Sequence, residues 1–168
     1  PEEFKECGSY RVVGNLPYYV TTPILFHIFE TGKKASGATV MLQKEVAERI
    51  NAQPGTKAYG ALSVASQYYS EPRVVTKVSR RLFFPQPEVE SIVLQLKIRD
   101  CPPVDVQDAQ LFFAIIRAAF NQRRKTILNA LSNLLPELSK EKVSKVLSLA
   151  EIDPSCRGEV LGIGEFAR

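Results

Sequence analysis

Apolar positions follow two regimes along the chain. Up to about residue 100 they gather in runs of strand length or in short helical patches, and beyond it they recur only at helical spacing. Tyr10-Arg11-Val12-Val13-Gly14 is a β-branched run of the buried-strand type, which predicts a strand over 10–16. A helix is predicted over 23–31, with Thr22 suited to cap it, Pro23 to its first turn and Gly32 to its end. Ala38-Thr39-Val40-Met41-Leu42 reads as a second buried strand. Residues 43–50 set Val46, Ala47 and Ile50 among charged positions, an amphipathic helix stopped by Pro54-Gly55. Residues 61–69 form another short helix, 73–79 alternate as a strand, and 91–98 are the clearest strand of all. No helical segment separates the last two strands, so they are expected to pair antiparallel. This order is the second half of a doubly wound α/β sheet ending in an antiparallel hairpin.

The regime changes after Asp100-Cys101-Pro102-Pro103. Leu111, Phe112, Ile115, Ile116, Ala119 and Phe120 form one apolar stripe. Ile127, Leu128, Leu131, Leu134 and Leu135 form a second, ended by Pro136. Ser139 can cap a third helix carrying Val143, Val146, Leu147 and Leu149, and a short last helix is expected after Gly164. The expected organisation is therefore 1–100, part of an α/β domain, and 101–168, a small all-α domain.

Composition narrows the class. Of 168 residues, 45% are hydrophobic and 24% charged, as in ordinary soluble domains. No apolar run reaches membrane-span length, and no signal peptide is present, so a cytoplasmic protein is expected. The net charge of +4 leans towards a polyanionic partner. Cys7, Cys101 and Cys156 are scattered and odd in number, which suggests free thiols and neither a disulfide frame nor a zinc site. The chain begins at Pro1, a few residues before a core strand, and its only methionine is Met41. It is read as a piece of a longer protein.

Three segments carry candidate chemistry. Asn15-Leu16-Pro17-Tyr18 stands where a strand gives way to a helix, the edge at which open α/β sheets bind ligands. An amide oxygen and a nearby backbone carbonyl can accept both hydrogens of an exocyclic ring amine at roughly 3 Å. That draws the nitrogen towards tetrahedral geometry and frees its lone pair. Tyr18 can stack on the ring, an interaction of about 1–3 kcal/mol per base. The alternative is a structural turn whose tyrosine packs on the core. Phe83-Phe84-Pro85-Gln86-Pro87 is a stiff, extended loop that can offer Phe83 as the opposite face of a base clamp, or act as a rigid connector or a Pro-x-Pro ligand. Arg117, Arg123, Arg124 and Lys125 gather cations near one helix end, suited either to RNA phosphates or to a solvated face. His27, the only histidine, has no nucleophile or metal set beside it and reads as structural, as does Gln43-Lys44-Glu45 at a helix start.

Taken together and in order, these segments resemble the ribosomal RNA adenine dimethyltransferases, in particular their bacterial small-subunit branch. The resemblance runs through Gly14-Asn15-Leu16-Pro17-Tyr18 with Thr22-Pro23, then Met41-Leu42-Gln43-Lys44-Glu45-Val46 and Lys57-Ala58-Tyr59-Gly60-Ala61-Leu62-Ser63. It continues through Phe83-x-Pro85-x-Pro87-x-Val89-x-Ser91, Ala119-Phe120-Asn121-Gln122-Arg123-Arg124-Lys125-Thr126 and Arg157-Gly158-Glu159.

The resemblance implies a Rossmann-like S-adenosylmethionine methyltransferase domain followed by a helical RNA-binding domain. It implies methyl transfer to the exocyclic amines of two adjacent adenosines near the 3′ end of small-subunit rRNA, on an immature small ribosomal subunit, by a monomer. Asn15 would bind the amine and lie beside the cofactor. Leu16 and Pro17 would supply backbone acceptors and shape, and Tyr18 and Phe83 would sandwich the adenine. The chain departs from the pattern at Tyr19, where many members have asparagine, and it has no glycine-rich cofactor loop after a strand, so weak or no cofactor binding is expected of it alone. The rival expectations are a non-catalytic RNA-binding ribosome-assembly factor and a large-subunit rRNA adenine methylase conferring antibiotic resistance.

Overall fold

In the computed structural model the described residues are 8–17, 19–31 and 35–168, without the side chains of Glu30 and Thr31. The expectations for Cys7, Tyr18 and Gly32 lie outside them. Four strands, β1 (Tyr10–Asn15), β2 (Ala35–Gln43), β3 (Ser70–Val78) and β4 (Ser91–Ile98), form one sheet in the order β1-β2-β4-β3. β1 and β2 are parallel and joined through helix α1 (Thr21–Thr31). β4 runs antiparallel to both β2 and β3, which is the expected closing hairpin. Helix α2 (Lys44–Ile50) follows β2 directly. Helix α3 (Ala61–Tyr69) runs straight into β3.

The chain forms two compact units. The first holds the described residues up to Asn51 together with Tyr69–Cys101, and the second holds Ala52–Tyr68 with Pro102–Arg168. One crossing thus falls beside the composition shift at Cys101. The segment Ala52–Tyr68, expected in the α/β domain, groups with the helices instead. Side-chain contacts account for this: the Tyr59 hydroxyl donates to the Leu161 carbonyl at 3.0 Å, and the Tyr68 ring meets Phe112 at 5.2 Å and Phe113 at 5.3 Å.

In the sheet unit the alternation of β2 and β4 buries Ala38, Val40 and Leu42 against Ile92, Leu94 and Leu96, with Leu25, Ile28 and Phe29 of α1 also buried. β1 departs from expectation. Its Val13 is 81% exposed, because the β1 face it shares with Arg11 and Asn15 is open to solvent among the described residues. The helix after it also starts earlier than expected. Thr22 is an exposed helical residue rather than the cap, and the buried Thr21 begins the helix.

The helical unit holds α4 (Ala109–Asn121), α5 (Ile127–Leu134), α6 (Lys140–Leu149) and α7 (Ile163–Ala167). Asp108, Thr126 and Ser139 cap the first three with their side-chain oxygens. The apolar stripes do bury Phe112, Ile116, Ala119, Ile127, Leu131, Val143 and Leu147. Val146 and Leu149, carried by the same helix, are 59% and 77% exposed. On a 3.6-residue turn Val143 and Leu147 share a face that the other two leave. Gly158 lies against α4 where a Cβ would come within 2.7 Å of the Ala119 Cβ, so the Arg157-Gly158-Glu159 stretch needs its glycine for close approach.

Candidate active site

Strand register brings the first two candidate segments to one edge of the sheet. Asn15, the last residue of β1, pairs with Met41, and Met41 pairs with Val93 near the start of β4. Ser91 pairs with both Gln43 and Val78, so the connection from 79 to 90 emerges at that same end. β1 and β4 are two strand spacings apart, about 9.5 Å. The carboxyl end of β1 and the loop carrying Phe83 therefore lie at one edge of the sheet.

The turn after β1 is built from few bonds. Leu16 is buried and its N–H donates to the Met41 carbonyl at 2.9 Å, so the chain stays on the sheet one residue past the strand. The Pro17 carbonyl then accepts the Val20 N–H at 3.1 Å and the Thr21 hydroxyl at 3.0 Å. A carbonyl has two lone pairs, and both are engaged here. Asn15 is exposed on the β1 face shared with Arg11 and Val13. Among the described residues its side-chain amide has no hydrogen-bond partner.

The loop opposite is stiffened at both ends. A 3-10 turn at Arg80–Leu82 is capped by the Ser79 hydroxyl, which accepts from the Arg81 N–H. Arg80 Nη1 donates across the loop to the Glu88 carbonyl at 3.2 Å. Lys44 closes the far end: its N–H donates to the Glu90 carbonyl, and its Nζ stands 3.3 Å from the Glu90 carboxylate. Gln43-Lys44-Glu45 thus opens α2 and ties down this loop, beyond the plain helix start expected of it. Phe83 has extended backbone and is half-buried, while Phe84 beside it is fully exposed.

The cationic cluster divides. Arg123 Nε donates to the Glu159 carboxylate at 2.9 Å, and Nη2 donates to the Lys57 carbonyl at 2.6 Å. It therefore ties the 56–57 turn to the 158–160 turn within the helical unit. Arg117, Arg124 and Lys125 are exposed, and among the described residues no ion pair or hydrogen bond holds their side chains. Sequence spacing alone treated the four as equals. The signal that separates them is Glu159, 36 residues on, which spacing does not reveal.

In the same unit, burial and then the charge of Glu165 push the Tyr59 phenol up to about 12. His27 is exposed on α1. Among the described residues no group of three or more His, Cys, Asp or Glu could hold a metal ion. No helix of the described chain is long and apolar enough to cross a membrane. Cys101 and Cys156 are free thiols.

A half-sheet with a parallel β-α-β start and an antiparallel hairpin at its end is the arrangement of Rossmann-like methyltransferases. Solved structures agree in fold: a dimethyladenosine transferase from Plasmodium falciparum matches with a TM-score of 0.77 at 23% identity, over 93% of this chain and 63% of that one. The 23S rRNA methyltransferase ErmE matches at 0.66 and 24%, over 95% and 63%. The family model for ribosomal RNA adenine dimethylase matches residues 1–167, and the chain belongs to that family. Among its relatives, ribosomal RNA small subunit methyltransferase A of Moorella thermoacetica is 54% identical over 95% of this chain and 54% of that protein. The protein of the same name from Geobacillus thermodenitrificans is 51% identical over 99% and 57%. The chain thus spans about half the length of the curated relatives it matches.

The family implies S-adenosylmethionine as methyl donor, and the residues described fit only one side of its site. Asn15 stands at the carboxyl end of β1. No glycine-rich loop follows a described strand, and Gly162 and Gly164 lie at the start of α7 in the other unit.

Proposed function

We propose that the protein methylates the exocyclic amines of two adjacent adenosines near the 3′ end of small-subunit rRNA. The observation that carries this is the joint presentation, at one sheet edge, of an unpartnered Asn15 amide and the loop bearing Phe83. The Asn15 side-chain oxygen accepts one hydrogen of the adenine amine. The Leu16 carbonyl accepts the other, since both lone pairs of the Pro17 carbonyl are already taken. Pro17 fixes the turn that aims this acceptor. Tyr18 and Phe83 hold the ring between them, which requires the base to leave its stack. S-adenosylmethionine, bound largely by residues outside this chain, would supply the methyl from its sulfonium centre: an N–C bond would replace the S–C bond, the neutral thioether S-adenosylhomocysteine would leave, and the amine proton would pass to water. Positioning and charge carry the step, with no side chain assigned as a general base.

The RNA partner is the small-subunit rRNA within an immature subunit, and the protein acts as a cytoplasmic monomer. Arg117, Arg124 and Lys125 contact phosphates, while Arg123 chiefly holds the helical unit together. Relatives at about half identity named for the small subunit favour that substrate over the large subunit. The test is methyl transfer by the full-length protein to immature small subunits and to large subunits, with wild type and Asn15→Ala. Transfer confined to small subunits and lost in the variant supports the reading. Transfer to large subunits, or an active Asn15→Ala protein, refutes it.

A further inference from the structure

Two aromatic side chains at the sheet edge are not used by the base clamp. Phe84 is 103% exposed and Tyr19 is 87% exposed. Phe83 is extended, with φ −112° and ψ 147°, and Phe84 precedes a proline, which also favours extended backbone. Neighbouring side chains in extended backbone point to opposite sides. If Phe83 faces the adenine, Phe84 faces away from it. Tyr19 follows the β1 turn and Phe84 sits in the β3–β4 connection, so the register that joins Asn15 to Met41 and Val93 puts both segments at the same edge of the sheet. Leu82, 78% exposed, stands two residues before Phe84, and Arg81 beside it is an exposed cation with no side-chain partner.

A fully exposed phenylalanine, three residues from an arginine with no side-chain partner among the described residues, supplies what proteins use to hold single-stranded nucleic acid: a ring for the base and a cation for its phosphate. We propose that Phe84 and Tyr19 form a second stacking platform, outside the clamp, for the nucleotide next to the adenosine in the pocket. Arg81 contacts the phosphate between the two. The glutamates of the descending limb do not oppose this strongly, because Glu90 is already paired with Lys44, which leaves Glu88 as the uncompensated carboxylate of the loop. The platform keeps the strand open once a base has been drawn out, and it favours a purine neighbour, whose larger face stacks better. For a substrate of two adjacent adenosines, the waiting adenosine is the ligand of this platform. The inference rests on the methyltransferase reading of the same site.

The experiment uses the full-length protein and the rRNA hairpin, intact or abasic at the position next to the target adenosine. For wild type, loss of the neighbouring base weakens binding about tenfold. Phe84→Ala and the Tyr19→Ala, Phe84→Ala double variant weaken binding to intact RNA by a similar factor, and have little further effect on the abasic RNA. Phe84→Trp restores binding. 2-Aminopurine at the neighbouring position is quenched by wild type and not by the double variant, while the same probe at the target position responds to both. Equal losses on intact and abasic RNA, or an unchanged quench, overturn the platform but leave the methyltransferase intact. No methyl transfer by wild type to any subunit overturns both. Circular dichroism confirms folding of the variants, whose substituted side chains are exposed.

Discussion

Asn15 closes a strand and Arg123 follows a helix, and each is the leading polar residue of its segment. Their surroundings differ. Asn15 points from a strand face that nothing covers among the described residues, and the carbonyl two residues on is closed off by Val20 and Thr21. Arg123 is tied by a carboxylate and a backbone carbonyl on opposite sides, so that its charge is answered inside its own unit. A polar residue at a sheet edge stays available because topology leaves it without neighbours. A cation beside a buried helix is drawn into closing the packing. Exposure in sequence and availability in space are therefore separate properties, and only the second identifies a group that can meet a ligand.

The comparison is broken or sharpened by substitution. The largest effect is expected at the free group. Asn15→Ala lowers methyl transfer by about 10²–10³-fold, the scale seen when one preorganised hydrogen-bond partner of a reacting group is removed, and leaves the thermal midpoint unchanged. A rate within tenfold of wild type would show that the exposed amide is idle.

Next is the packing that Arg123 helps to hold. Gly158→Ala forces a Cβ against Ala119 and costs about 1–3 kcal/mol in urea unfolding. Arg123→Ala loses a charged pair and its bond to the Lys57 carbonyl, for about 1–2 kcal/mol. Arg124→Ala and Lys125→Ala change stability by less than about 0.5 kcal/mol, and each lowers the slope of log affinity against log salt by about 1. Should Arg123→Ala alter the salt slope alone, its structural assignment fails.

A further expected effect is alkaline. Tyr59 titrates near 10.0 when unfolded and near 12 when folded, so its contribution to stability is full below pH 10 and is lost as pH rises towards 12. Tyr68 is raised as well, by burial and then Asp105, and adds to the same trend. Unfolding measured from pH 9 to pH 12 should show this decline, and Tyr59→Phe should flatten it.

Much of this fold is legible as periodicity. Residues 91–98 alternate so regularly that β4 has the limits expected of it, and the 61–69 stripe is α3 itself. Ser139 caps α6 as its position before the helix suggests. What escapes is non-local. Thr21 and Thr22 offer the same hydroxyl, and only the distance to the Pro17 carbonyl selects between them. Val13 reads as a core residue because a β-branched run does not reveal whether both faces of its strand are covered. The grouping of 52–68 with the helices depends on Tyr59 reaching Leu161, 102 positions away. At the sheet edge, the place of Asn15 at a strand end was legible, whereas the closing of the Pro17 carbonyl by Val20 and Thr21 was not.

The buried Thr21 hydroxyl gives the turn after β1 a property of address. Without it the Pro17 carbonyl would keep one vacant lone pair, and an incoming amine would meet two adjacent oxygens offering rival seats. By filling that vacancy the hydroxyl leaves a single seat. On the proposed reading, a base amine that reaches this edge then meets one free backbone oxygen rather than two, and its nitrogen has a single register along the chain.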